Sequence, residues 1–199
     1  MSQLPIESQL PIKSQRPIEI HGYAIVSDDD RIADADGLIP PALRNEKDWE
    51  QYQRALANSD LVVFARVSHE NEPETHGVPR MVVSRRAKGL EINDGVWWWN
   101  PADLPWGEAV ARVLPQGGEV AAPGGQAVFD LFLSIGYDVF HLARAHGVRL
   151  GGGRAVFSEC DAGLTAEAVL AKHGLAAAEC IDLDVAKRVE MHIWRAKRK

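Results

Sequence analysis

The sequence has only two cysteines, Cys160 and Cys180, and neither belongs to a Cys-x-x-Cys pair. That excludes a disulfide framework, and a reducing cytoplasm is the expected compartment. No apolar run approaches the ~18 residues of a membrane-spanning helix. No basic segment followed by an apolar one opens the chain, as a secretory leader would. Positive charge is in deficit, with 22 Lys+Arg against 28 Asp+Glu and a net charge of -6. A nucleic-acid binder carries a clustered basic footprint, so neither nucleic acid nor membrane is expected as a partner. The basic run from Arg195 to Lys199 reads as a solvated end. Several chemical signatures are missing too: Gly-x-Gly-x-x-Gly, a P-loop, a Gly-x-Ser-x-Gly elbow, and the His-x-Glu with Pro-Cys-x-x-Cys of a zinc deaminase. His69 and His76 flank Glu70, Glu72 and Glu74, but the spacing fits no standard zinc pattern, so no metal is expected.

What is present is an ordinary globular composition, 46% hydrophobic over 199 residues, enough for one domain with a continuous core. Residues 1–19 stand apart. Ser2 to Glu7, Ser8 to Lys13 and Ser14 to Glu19 repeat a six-residue unit with a proline in each copy. Proline at that period blocks helix and central strand alike, so an extended arm is expected, with docking to a partner's sheet edge as the other reading. Residues 20–199 form the domain.

Within the domain the pattern is α/β. Short apolar runs at Tyr23–Val26, Leu61–Phe64, Met81–Val83, Val96–Trp99, Val120–Ala122 and Val139–Ala145 predict strands. Glu46–Ala57, Trp106–Leu114 and Ala127–Ile135 predict helices between them, and Thr165 caps another that runs to His173. Ala176–Leu183 and Val189–Trp194 predict a terminal hairpin. The expectation is a mostly parallel sheet with helices on both faces and an antiparallel edge at the C-terminal end. Trp97, Trp98 and Trp99 alternate faces on their strand, which suggests core with partial exposure, an interface or a pocket wall. A homodimer is left open.

The most informative local feature is Val120-Ala121-Ala122-Pro123-Gly124-Gly125-Gln126-Ala127, a strand entering a helix through two glycines. Backbone amides at such a mouth approach an anion closely, and the helix end adds about half a positive charge, so a phosphate is the natural ligand. A plain tight turn is the other reading. Farther along, Leu150-Gly151-Gly152-Gly153-Arg154-Ala155-Val156-Phe157 is a second glycine-rich turn.

Together these motifs resemble the dihydrofolate reductase-like fold, and most closely the reductase domain of the riboflavin-biosynthesis deaminase-reductases. The resemblance covers about residues 20–160. It rests on the Gly124-Gly125 helix mouth with Phe132-Leu133 after it, and on the Leu150–Phe157 turn. It also takes in Ala24-Ile25 followed by Asp30–Ala33, the segment Ser59–Ser68, and Arg80–Arg85. The resemblance implies a reductase that takes hydride from NADPH and acts on a small heteroaromatic molecule, a pterin or a riboflavin-pathway pyrimidine. By the same resemblance, Gly124, Gly125, Gln126 and Ala127 would hold the pyrophosphate, and Arg66, Val67 and Ser68 would contact phosphates. Ser84, Arg85 and Arg86 would face the adenosine 2′-phosphate; an arginine pair suits phosphate independently, through bidentate charge-assisted bonds. Ala24, Ile25, Ile32 and Ala33 would line the nicotinamide.

The family's acidic residue on the first helix corresponds to Glu46, with Asp48 one turn-neighbour away. A carboxylate in an apolar cleft would have a raised pKa and could deliver a proton; an acid at a helix start also simply complements the dipole. Pro41 replaces the family's aromatic, and Gly22-Tyr23 stands where the riboflavin-type enzymes bring in a lysine. The rival reading keeps the fold as a non-catalytic binding or assembly module.

Overall fold

The computed structural model describes residues 16–71, 75 and 77–197. Among these residues eleven strands, six α-helices and one 3-10 turn at Pro41–Leu43 follow in chain order: β1 (Ile18–Val26), β2 (Arg31–Ala33), α1 (Glu46–Asn58), β3 (Leu61–Ala65), α2 (Arg66–Asn71) and β4 (Arg80–Val83). Next come β5 (Leu90–Asn93), β6 (Val96–Trp99), α3 (Trp106–Val113), β7 (Gly118–Gly124), α4 (Gln126–Ile135) and β8 (Val139–Ala145). The chain ends with β9 (Arg154–Ala155), α5 (Ser158–Asp161), α6 (Ala166–Lys172), β10 (Leu175–Asp184) and β11 (Val189–Ala196).

Nine strands make one sheet in the order β10-β11-β8-β1-β7-β3-β4-β6-β5, and β2 pairs with β9 in a small second sheet. The centre of the large sheet is parallel: β8 and β7 flank β1, and β3, β4 and β6 continue outward. The expected antiparallel hairpin, β10 with β11, lies on one edge. The opposite edge is antiparallel as well, because β5 turns back on β6 through Asp94 and Gly95, both at positive φ. That hairpin was not expected from the sequence, although Asp-Gly between two strand-prone runs is a strong turn signal.

Strand β3 shows why the sheet needs helices on both faces. Leu61 and Val63 join the large core beneath α3, α4, α5 and α6, while Val62 and Phe64 pack with Leu56 of α1 on the other side. A strand apolar on both faces is what a parallel centre requires. Trp99 is buried, its indole donating to the Leu104 carbonyl at 2.8 Å, and Trp97 and Trp98 are half-buried. Thr165 caps α6 as expected, accepting from the Ala168 amide at 3.2 Å.

From Arg16 the chain is tied to the domain, through its amide to Gln116 at 3.0 Å and its guanidinium to Asp60 at 2.8 Å. Residues 1–15 of the expected arm lie outside the described residues, as do Glu72, Glu74, His76 and the last two residues of the basic tail. No described helix is long and apolar enough to cross a membrane.

Candidate active site

A cleft of about 1160 Å³ opens across the carboxyl ends of the central parallel strands, where open α/β sheets place their ligands. One wall is the turn into α4 with the start of α2; the other is α1.

At the first wall, Gly125 precedes α4 with φ 64° and ψ 149° and provides no side-chain cap. The Val128 and Phe129 amides bond back to its carbonyl at 2.9 and 3.1 Å, while the amides of Gln126 and Ala127, first in the helix, have no intrahelical partner by geometry. Gly124 must lack a side chain, since a Cβ there would lie 2.8 Å from Cζ of Phe129. Ser68 of α2 faces the same turn, its hydroxyl 3.5 Å from the Gly124 carbonyl. Uncapped amides, a ten-residue helix and a side-chain-free approach fit a pyrophosphate.

The two glycine-rich segments of the sequence meet here. Gln126 donates to Asp161 at 3.2 Å, Arg31 pairs with Asp161, and Arg31 also donates to the Gly153 carbonyl at 3.1 Å. Arg31 holds the Asp161 carboxyl below its usual range, so this acid stays ionised beside the helix mouth with its charge offset by the guanidinium. Gly153 is required by packing, because a Cβ would come within 2.3 Å of the Ala33 carbonyl oxygen. This contact fastens the β9 turn onto β2.

The floor and far wall differ in chemistry. Asn45 caps α1, its side-chain oxygen accepting from the Lys47 and Asp48 amides at 3.1 Å each. Asp48 is thereby turned into the cleft, half-buried, and burial pushes its carboxyl up to about 6. Glu46 also borders the cleft but is exposed. On the floor, Tyr23 of β1 stacks on His141 of β8, with ring centroids 4.7 Å apart and planes 9° from parallel. Burial, then the charges of His21 and Arg195, push His141 down to about 4, so it is neutral near pH 7. Burial and the Glu119 charge raise the Tyr23 phenol, which stays protonated. Leu38, Ile39 and Trp49 expose apolar surface at the mouth, each between 49% and 59%.

Of the residues expected at the site, Ala24, Ile25, Ile32, Ala33, Glu46, Asp48, Val67, Ser68, Gly125, Gln126 and Ala127 line this cleft together. Gly124 is buried beneath it. Arg66 is exposed and paired with Glu70 at 2.6 Å. Ser84, Arg85 and Arg86 occupy the turn after β4, outside the cleft wall; the Ser84 hydroxyl accepts from the Arg86 amide at 3.2 Å, and both guanidinium groups are exposed. His141, Trp49 and Arg154 belong to the cleft and were not expected from the sequence, and Tyr23, noted only as standing at the lysine position of the riboflavin-type enzymes, joins them. The register that sets Tyr23 opposite His141 is long-range, and no local pattern announces it.

No protein-family model and no curated protein matches the chain. Solved structures do. Dihydrofolate reductase from Enterococcus faecalis, complexed with NADP(H) and RAB-propyl, superposes with a TM-score of 0.63 at 11% identity over 89% of this chain and 95% of that one. The fold is that of dihydrofolate reductase. A protein of Shewanella sp. PV-4 assigned to riboflavin biosynthesis gives 0.63 at 18% identity, covering 91% of this dihydrofolate reductase-like chain and all of its own. The diaminohydroxyphosphoribosylaminopyrimidine deaminase/5-amino-6-(5-phosphoribosylamino)uracil reductase of Thermotoga maritima gives 0.62 at 13% identity over 91% of this chain. The present chain spans 57% of that protein's length.

Proposed function

We propose that the protein is an NADPH-dependent reductase of a small heteroaromatic molecule, a pterin or a pyrimidine of the riboflavin-pathway kind. The observation that carries this reading is the pairing, across one cleft, of an uncapped Gly124-Gly125 helix mouth with a half-buried Asp48 whose carboxyl is pushed up by burial to about 6.

The Gln126 and Ala127 amides, with the Ser68 hydroxyl, would hold the pyrophosphate. Arg85 and Arg86 would reach the 2′-phosphate from the end of β4. Ala24, Ile25, Ile32 and Ala33 give the nicotinamide a small, apolar wall that keeps water out. NADPH, when bound, supplies the hydride. The chain's own part is to orient both molecules and to bring a proton to the reduced ring. Asp48 is suited to that and Glu46 less so, because a desolvated carboxyl keeps a proton near neutrality. Neutral His141 stacked on Tyr23 offers an uncharged aromatic floor for a ring, and Trp49 at the mouth can cover it.

The test is NADPH oxidation, followed by its loss of near-ultraviolet absorbance, across a panel of pteridines and ribosylaminopyrimidines. Oxidation with one class, lost in Asp48→Asn, supports the reading. No oxidation with either class would overturn it and favour the non-catalytic module.

A further inference from the structure

Away from the cleft, the outer hairpin brings together three groups of metal-ligating chemistry. Cys180 of β10 stands opposite His192 of β11, and Glu190 lies two residues before His192 on the same face of the strand. The Cys180 sulfur is 3.6 Å from His192 Nε2, and that nitrogen is 3.1 Å from Glu190 Oε1. All three ligand atoms lie within 4.8 Å of one another. Cys180 is exposed while Glu190 and His192 are half-buried, so an ion can enter from solvent.

The sulfur–nitrogen and nitrogen–oxygen separations suit a shared ion, and a small rotation of the exposed Cys180 side chain brings the sulfur toward the carboxylate. In a tetrahedral zinc site, with bonds of about 2.0 Å to nitrogen or oxygen and 2.3 Å to sulfur, neighbouring ligand atoms sit about 3.3–3.6 Å apart. The donor set also selects. A thiolate with an imidazole and a single carboxylate favours zinc-like ions over magnesium or calcium, which take all-oxygen shells. Behind the carboxylate stands His146, its Nε2 2.9 Å from Glu190 Oε1 and its Nδ1 3.5 Å from Asp28. Such partners fix the orientation of a ligating group. None of these residues lines the large cleft.

We propose that Cys180, Glu190 and His192 bind one divalent transition-metal ion of the zinc class, with His146 holding Glu190 in place. The fourth position faces solvent. The ion clamps β10 to β11, the strands at the edge of the sheet, and binding only the folded chain it adds to stability.

The test is a titration of the metal-free full-length protein with cobalt chloride, followed by zinc chloride. The expected result is a near-ultraviolet thiolate-to-cobalt band saturating at one ion per chain and displaced by zinc. Cys180→Ser should abolish the band, and Cys160→Ala should retain it. His192→Gln should weaken binding by more than about tenfold, and His146→Ala by about tenfold. Absence of the band in the wild-type protein would overturn the proposal, as would a band that survives Cys180→Ser.

Discussion

Asn45 joins the first helix to the far edge of the sheet: its side-chain amide donates to Asp184 at 3.1 Å while its oxygen caps α1. One buried side chain thus fixes both the end of α1 and the end of β10. Asn45→Ala should destabilise the protein by about 1–2 kcal/mol through the lost cap, measurable by urea unfolding. It should also lower turnover more than cofactor affinity, because Asp48 hangs from the freed first turn.

Asp48 should make stability, and the proposed activity with it, depend on pH. Its folded pKa, about 6, lies above its ordinary value of 3.8. Between those values the folded protein holds more protons than the unfolded chain, so the group's contribution falls as pH rises and stays low above about 6. Asp48→Asn should remove that dependence and stabilise the protein above pH 6, by no more than about 3 kcal/mol. The same change should cost about a hundredfold in kcat. A variant that loses stability above pH 6 would count against a desolvated carboxyl.

His141 acts in the opposite sense. Its folded pKa, about 4, lies below the ordinary 6.5, so in that window the unfolded chain takes up the proton and stability drops as pH falls. His141→Asn should lose less stability than wild type between pH 6.5 and 4, read from thermal melts across that range. Parallel losses in the two proteins would contradict a half-buried, neutral imidazole.

Gly153→Ala should lower stability by about 1–3 kcal/mol, since the new methyl meets backbone rather than a movable side chain. Gly151→Ala, where a Cβ meets nothing within 4 Å, is the control and should be near neutral. Denaturant midpoints for the pair decide it.

The sheet was legible because each central strand announces itself locally. Leu61–Phe64 is apolar at every position, and it is buried on both faces. Glu46–Asn58 carries helical spacing and acids in its first turn, which predicted it as Glu46–Ala57; its Asn45 cap emerged only in the structure. The glycine mouth was equally local. What the sequence withheld depends on register. Tyr23 and His141 are far apart in the chain and meet only because β1 and β8 pair with a particular offset. The same holds for Cys180 and His192 across their hairpin. Glu46 and Asp48 lie so close in sequence that only the rotation of α1, set by Asn45, tells the exposed acid from the half-buried one.

The proposed function stands or falls on whether NADPH binds at the Gly124-Gly125 mouth. Calorimetric titration of the purified protein with NADPH and with NADH tests it most directly. Micromolar NADPH binding, weaker NADH binding, and loss of affinity in both Gly125→Asp and Arg85→Ala are expected. No binding of either nucleotide up to millimolar concentration would contradict it.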